Sequence, residues 1–182
     1  MNTQTLLNRA NRFLLAVGIA LGTALAANAQ SMPTPSPEHE AMKKHEGVWL
    51  AKIKSNGSES SGTMTLKLDC GGLWMSSEFQ ADFGGQKFQG RGLDGYDPAK
   101  KKYVSVWVDS FSTQLLIMEG TMNKEKKTIT MTGEGPGPDG KPIKFKSETV
   151  FTDDDHQAFR MFAVDGDGKD MEVLSIDYTR KK

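Results

Sequence analysis

The stretch Gly90-Arg91-Gly92-Leu93-Asp94-Gly95 has the glycine spacing of a dinucleotide-binding turn. That turn needs a strand before it and a helix after it, so that phosphate rests on the helix N-terminus. Here Tyr96-Asp97-Pro98 follows, and the proline stops a helix, so the glycines predict a flexible or bulged strand. Asp165-Gly166-Asp167-Gly168-Lys169-Asp170-Met171-Glu172 has the composition of a calcium loop. An EF-hand needs an oxygen ligand at position five and Gly at position six. Those positions hold Lys169 and Asp170, so the segment predicts a hairpin turn. His39, His45 and His156 are the whole histidine set; none falls in an H-E-x-x-H pattern or on an inward strand position, so no metal site and no cofactor are expected. There is no G-x-S-x-G, and Cys70 has no evident histidine partner, which leaves no nucleophile with its base. Two carboxylate pairs, Glu134 with Glu148 and Glu78 with Glu119, could face each other across a cavity as a glycosidase pair does. Asn56-Gly57-Ser58 fits the glycosylation pattern and predicts an exposed turn.

The strongest remaining signal is aromatic and sulfurous. Trp49, Trp74, Tyr103, Trp107 and Met118 are candidates to line an apolar pocket, with Glu78, Arg91 and Arg160 as polar groups that could orient a ligand. Taken singly, such aromatics belong to a packed core; as a set they suit a barrel with a residual pocket. Charge narrows the partner. The chain has 182 residues with 23 Lys+Arg against 23 Asp+Glu. That balance excludes the basic excess of a nucleic-acid-binding protein and favours a small apolar or amphipathic ligand.

The elements that must position these residues begin after an N-terminal segment of a different kind. Residues 1–12 carry Arg9 and Arg12 and no acid; residues 13–27 are an uncharged apolar run of 15; Ala27-Asn28-Ala29 is a small-x-small cleavage site. This predicts a signal peptide over 1–29, hence a periplasmic or secreted protein. The apolar run is short of the roughly 20 residues a spanning helix needs, so no stable membrane anchor is expected after cleavage. Residues 30–37 hold three prolines in five positions and predict an extended linker, ahead of a single domain over 38–182. Residues 38–46 predict a short helix, with Ser36 or Pro37 at its start and Gly47 at its end.

From Val48 the pattern has period two. Ten runs alternate or stay apolar: 48–54, 63–70, 73–83, 86–93, 102–111, 114–122, 127–134, 143–152, 157–164 and 171–179. The run 114–122 is apolar on both faces and predicts a buried strand, and Cys70 falls in phase with Met64, Leu66 and Leu68, which predicts its burial. Turn residues join consecutive runs and no crossover helix intervenes. These features predict an all-β antiparallel meander that closes into a barrel of about eight to ten strands, because an open meander of this size would leave edges exposed.

Taken in order, the segments resemble a known bacterial family. Gly47-Val48-Trp49 follows the short helix; Gly71-Gly72-Leu73-Trp74, the hairpin beginning Gly95-Tyr96-Asp97-Pro98 and reaching Tyr103-Val104, the strand Leu116–Thr121 and the terminal Tyr178-Thr179-Arg180 come after it. This looks like the domain of unknown function 1579, over residues 38–181. The resemblance implies a calycin-like or lipocalin-like barrel; the family has no established enzymatic activity or ligand, so the resemblance adds little on mechanism. Three functions remain open on the residues: a barrel binding a small apolar or amphipathic molecule, an enzyme using carboxylates inside the barrel, or an interaction module with a solid core.

Overall fold

The structure is a computed structural model that describes residues 32–55, 57–137 and 140–182. The segment read as a signal peptide and Asn56 of the glycosylation pattern lie outside the described residues. Helix α1 (Pro37–Met42) starts where two local signals coincide: Pro37 sits in its first turn, and Ser36 and His39 form a capping box. The Ser36 amide donates to His39 Nδ1 at 3.0 Å. The α-helix is shorter than the sequence predicts, since Lys43–His45 tighten into a 3-10 turn. The carbonyls of this turn and the residue after it are claimed from outside the helix. The Trp49 indole donates to the His45 carbonyl at 3.0 Å, and Arg180 donates to the carbonyls of Lys44 and Glu46.

Ten strands follow: β1 (Gly47–Ser55), β2 (Ser58–Asp69), β3 (Trp74–Phe83), β4 (Gln86–Asp97), β5 (Lys102–Asp109), β6 (Leu116–Asn123), β7 (Thr128–Pro136), β8 (Pro142–Phe151), β9 (His156–Val164) and β10 (Asp170–Arg180). Each pairs antiparallel with the next, and β10 returns to pair with β1, Trp49 opposite Arg180 and Lys54 opposite Ser175. The all-β meander is therefore a closed ten-stranded barrel with no free edge. The only register shift between β9 and β10 falls between Glu172 and Leu174. Helix α1 and the turns β4–β5, β6–β7 and β8–β9 gather at one end; the turns β1–β2, β3–β4, β5–β6, β7–β8 and β9–β10 gather at the other.

Alternation decides the interior. On β1, Trp49, Ala51 and Ile53 point inward and are buried, joined by Phe79 of β3 and by Ile176 and Tyr178 of β10. Each large side chain removed from water in this way contributes about 1.5–3 kcal/mol. Two expectations fail, the first because a single-layer barrel has only one inner face and the second because a strand ends early. Strand β6 is not buried on both sides: Met118 points in and is buried, whereas Ile117 is 56% exposed. Ile117 lies beside Val106, and Val106 beside Leu93, so an apolar stripe crosses the outside of β4–β5–β6. Cys70 is exposed, not buried. Strand β2 ends one residue earlier, at Asp69, whose carboxylate accepts the Cys70 amide at 2.7 Å, and the left-handed backbone at Cys70 (φ 49°) takes it out of phase. Strand β4 is regular in its pairing with β3 and β5 throughout, so its glycines do not mark a bulge.

Candidate functional site

The barrel encloses a cavity of about 1010 Å³ that runs from α1 to the opposite mouth. Its walls are mostly apolar, with Met64, Met75, Phe79, Met118, Phe159 and Ile176 among the residues facing it. A volume of this size matches the upper range of small-molecule sites and excludes a solid core.

A carboxyl lies among the polar groups that interrupt the apolar wall, which include Ser147 and Gln157. Asp94 of β4 faces inward with Ser105 of β5 directly across the ladder, and the Ser105 side chain is hydrogen-bonded to its carboxyl. Protein surrounds Asp94 on all sides while part of its surface opens to the cavity. Burial, partly offset by the Ser105 hydrogen bond, pushes its carboxyl up to about 6. Ser77 of β3 pairs with Gly92, two residues from Asp94 on the same inward face, and is itself buried. The Tyr178 hydroxyl is raised well above its usual range, first by burial and then by the negative charge of Asp94. Asp94, Ser105, Ser77 and Tyr178 therefore make a polar patch in a mostly apolar lumen, with Gln157 across the ladder from Tyr178.

At the mouth, Trp107 of β5 lies over the glycines of β4. A Cβ on Gly90 would stand 2.2 Å from Trp107 Cζ2, and one on Gly92 would stand 3.1 Å from Trp107 Cε3. A third glycine of the Gly-x-Gly-x-x-Gly run, Gly95, similarly makes room for the Trp74 indole. The motif is thus a set of seats for two indoles, not a phosphate loop. Asp109 fixes Trp107 by accepting its indole N–H at 2.9 Å, and its other oxygen accepts the Phe111 amide at 2.8 Å. Phe111 then closes an aromatic cluster with Phe83 and Phe88 beside the mouth. Gly90→Ala is expected to displace the indole and cost about 1–3 kcal/mol, as overpacking does. A shifted Trp emission maximum together with a lower midpoint in a denaturant titration would show it; a variant indistinguishable from the parent would refute the packing.

The opposite end is sealed. Arg180 continues the inward face of β10 and places its guanidinium 4.2 Å above the Trp49 ring. It donates to three carbonyls: Nη1 to Glu46 at 2.6 Å, Nη2 to Lys44 at 2.7 Å and Nε to Asp154 at 2.8 Å. His45 stacks against Phe151 with ring centroids 4.3 Å apart. Burial, then the positive charges of Arg180 and Lys44, hold its imidazole below the usual range, which favours the neutral form. His39 is buried with its ring edge-on to Tyr96. Among the described residues, no three His, Cys, Asp or Glu side chains come together as a metal site would require.

The eight residues singled out by sequence divide cleanly. Tyr103, Trp107 and Met118 face the cavity. Trp49 does not; it is 1% exposed and packs beneath Arg180. Trp74 covers Gly95 on the side of β3 opposite the inward Met75. Glu78 and Arg91 form an exposed ion pair across β3 and β4, and Arg160 pairs with Asp177 at 2.7 Å outside the barrel. These three charged residues take the outward phase of strands whose inward phase is Phe79, Gly90 and Phe159. The carboxylate pairs likewise turn outward: Glu119 meets Lys100 and Lys102, Glu148 meets Lys146, and Glu134 is exposed. Asp94, Ser77, Ser105 and Tyr178 escaped the sequence reading. The phase of Tyr103 and Trp107 already carried Ser105 to the inside, and ladder register then carries Asp94.

Two solved structures share the architecture. The Rv2717c protein from M. tuberculosis superposes with a TM-score of 0.61 at 13% identity, covering 81% of this chain and 99% of that one. The S-type phycobiliprotein lyase CPES from Guillardia theta gives 0.55 at 10% identity, covering 80% and 93%. At these identities the likeness is one of fold. No curated protein matches the chain by sequence. The description "Protein of unknown function (DUF1579)" matches residues 34–180, from the residues that lead into α1 to the arginine that seals the barrel, and the chain belongs to that family.

Proposed function

We propose that the protein is an exported barrel that binds one small apolar or amphipathic molecule in its lumen. The observation that carries this reading is the cavity of about 1010 Å³, mostly apolar along its walls, with a polar patch around Asp94. A lumen of that size filled only with water would leave Met and Phe side chains wetted at a cost that a bound apolar molecule relieves. Export rests on the sequence of residues 1–29.

The neutral fluorophore N-phenyl-1-naphthylamine tests the lumen. One equivalent per chain is expected to bind with enhanced emission and to quench Trp107. Ser147 is buried and faces the cavity, so Ser147→Phe is expected to fill it and weaken binding tenfold or more. Met118→Trp serves as a second blocking variant, with circular dichroism as the check on folding. Equal binding by the parent and both folded variants would place the fluorophore elsewhere and end this reading.

One observation favours a second reading, an enzyme with a carboxylate inside the barrel. Burial raises the Asp94 carboxyl to about 6 beside Tyr178, a poise suited to proton transfer. The other carboxylates lining the cavity, Glu38, Asp109, Asp153 and Asp154, belong to its two ends, so no second carboxylate stands beside Asp94.

A further inference from the structure

The charges that face the cavity have a strong bias. Five carboxylates line it, Glu38, Asp94, Asp109, Asp153 and Asp154, against two lysines, Lys44 and Lys127. His45 adds little positive charge, because its imidazole is held toward the neutral form. Both lysines sit at the helix-sealed end, in the 3-10 turn and the β6–β7 turn, and share that end with three of the five carboxylates. Among the described residues, no arginine lines the cavity.

Asp94 stands apart from this ring. Desolvation and the Ser105 hydrogen bond are what act on its carboxyl, and no lysine or arginine contributes to its state. With its carboxyl raised to about 6, Asp94 is ionised at neutral pH in an apolar lumen that supplies it with no counter-ion. A buried carboxylate in that position accepts hydrogen bonds and attracts cations; a ligand carboxylate placed there would meet like charge.

We propose that the ligand is an apolar molecule with a basic nitrogen at its polar end, and that the lumen seats the protonated amine on Asp94 with Ser105, Ser77 and Tyr178 around it, while rejecting carboxylate-headed amphiphiles such as fatty acids. This rests on the lumen being the binding site. The amine supplies the missing counter-charge, and its three donors can be shared between the carboxylate and the neighbouring hydroxyl oxygens. Asp109 adds negative charge at the open mouth.

Dodecylamine, dodecanol and dodecanoate, each below its micellar concentration at pH 7.5, differ only in the head group. Displacement of N-phenyl-1-naphthylamine ranks them. The expected order is amine, then alcohol, then carboxylate, with the amine at least tenfold ahead of the alcohol. In Asp94→Asn the ratio of amine to alcohol affinity is expected to fall close to one. The ranking on the unaltered chain needs no variant, so a misfolded Asp94→Asn would not rescue the proposal. If the three bind alike, or dodecanoate binds tightest, the ligand class is wrong while the lumen reading stands. If none displaces the fluorophore and Ser147→Phe also leaves fluorophore binding unchanged, the lumen reading falls and this proposal with it.

Discussion

Arg180→Ala is expected to lower stability by about 3–4 kcal/mol, the largest loss from any single charged side chain in the barrel. The guanidinium makes three hydrogen bonds to carbonyls, at 2.6, 2.7 and 2.8 Å, and lies 4.2 Å over the Trp49 ring. Charge-assisted bonds of this kind are worth more than neutral ones, and the cation–π contact adds roughly 0.5–2 kcal/mol. The carbonyls lie near solvent, so water recovers part of the loss, and the sum is not the simple total of its parts. In a domain of this size the thermal midpoint should fall by roughly 10 °C. Arg180→Lys is expected to keep less than half of the stabilisation, since one ammonium cannot span three carbonyls and does not stack as a guanidinium does. Gly47 fits the same arrangement. A Cβ there would stand 2.9 Å from Arg180 Nη1, and its φ of 130° is one that L side chains rarely adopt.

The same substitution has a reporter that a general loss of packing would not move in the same way. Arg180 is one of the causes that depress the His45 imidazole, second to burial. Removing its charge while the fold persists should raise the His45 titration midpoint, seen by NMR below the melting temperature. An unchanged thermal midpoint and an unmoved His45 would refute the role assigned to Arg180.

How far the sequence carries is clearest at β4 and β5. Alternation in the run 102–111 puts Tyr103 and Trp107 on one face of β5, and turn residues located nearly every strand boundary within a few positions. The same alternation places Tyr103 and Trp107 on the cavity side. What alternation does not say is which face a charged residue takes when both faces contain polar groups. Glu78 and Arg91 looked suited to orient a ligand, yet they are neighbours across the ladder and satisfy each other outside. That pairing depends on register, a long-range property of hairpin geometry. Asp94 was hidden for a related reason: it sits in a glycine-rich run where apolar alternation is faint, and only its partner Ser105 reveals its direction. The glycines themselves were legible as a departure from ordinary strand composition, but their cause, the indoles of Trp107 and Trp74, lies on neighbouring strands. Cys70 shows the limit at a strand end, where one residue of difference in the terminus reverses exposure.

Asp94→Asn is expected to stabilise the ligand-free barrel at pH 7.5 by about 2–3 kcal/mol, taking about 1.36 kcal/mol per unit of pKa displacement. Folding raises the Asp94 carboxyl from 3.8 to about 6, chiefly through burial, so the native state holds this proton more tightly than the unfolded chain does. The favourable contribution of that tighter proton binding is complete below about pH 4 and disappears as pH rises through 6; above 6 the barrel carries an ionised, desolvated carboxylate. Asparagine matches the side chain in shape and can keep a hydrogen bond to Ser105, but it does not ionise. The two proteins should therefore have nearly equal stability near pH 4 and diverge upward, the variant melting roughly 5–10 °C higher at pH 7.5. A pH-independent difference, or a variant less stable than the parent at pH 7.5, would show that Asp94 is not desolvated in the empty barrel. The chain retains at this position a charge that weakens the empty fold, and a residue with that property is expected where function requires it. Saturating dodecylamine should narrow the difference, because it stabilises the parent by mass action more than it stabilises the variant, which offers the amine no counter-charge.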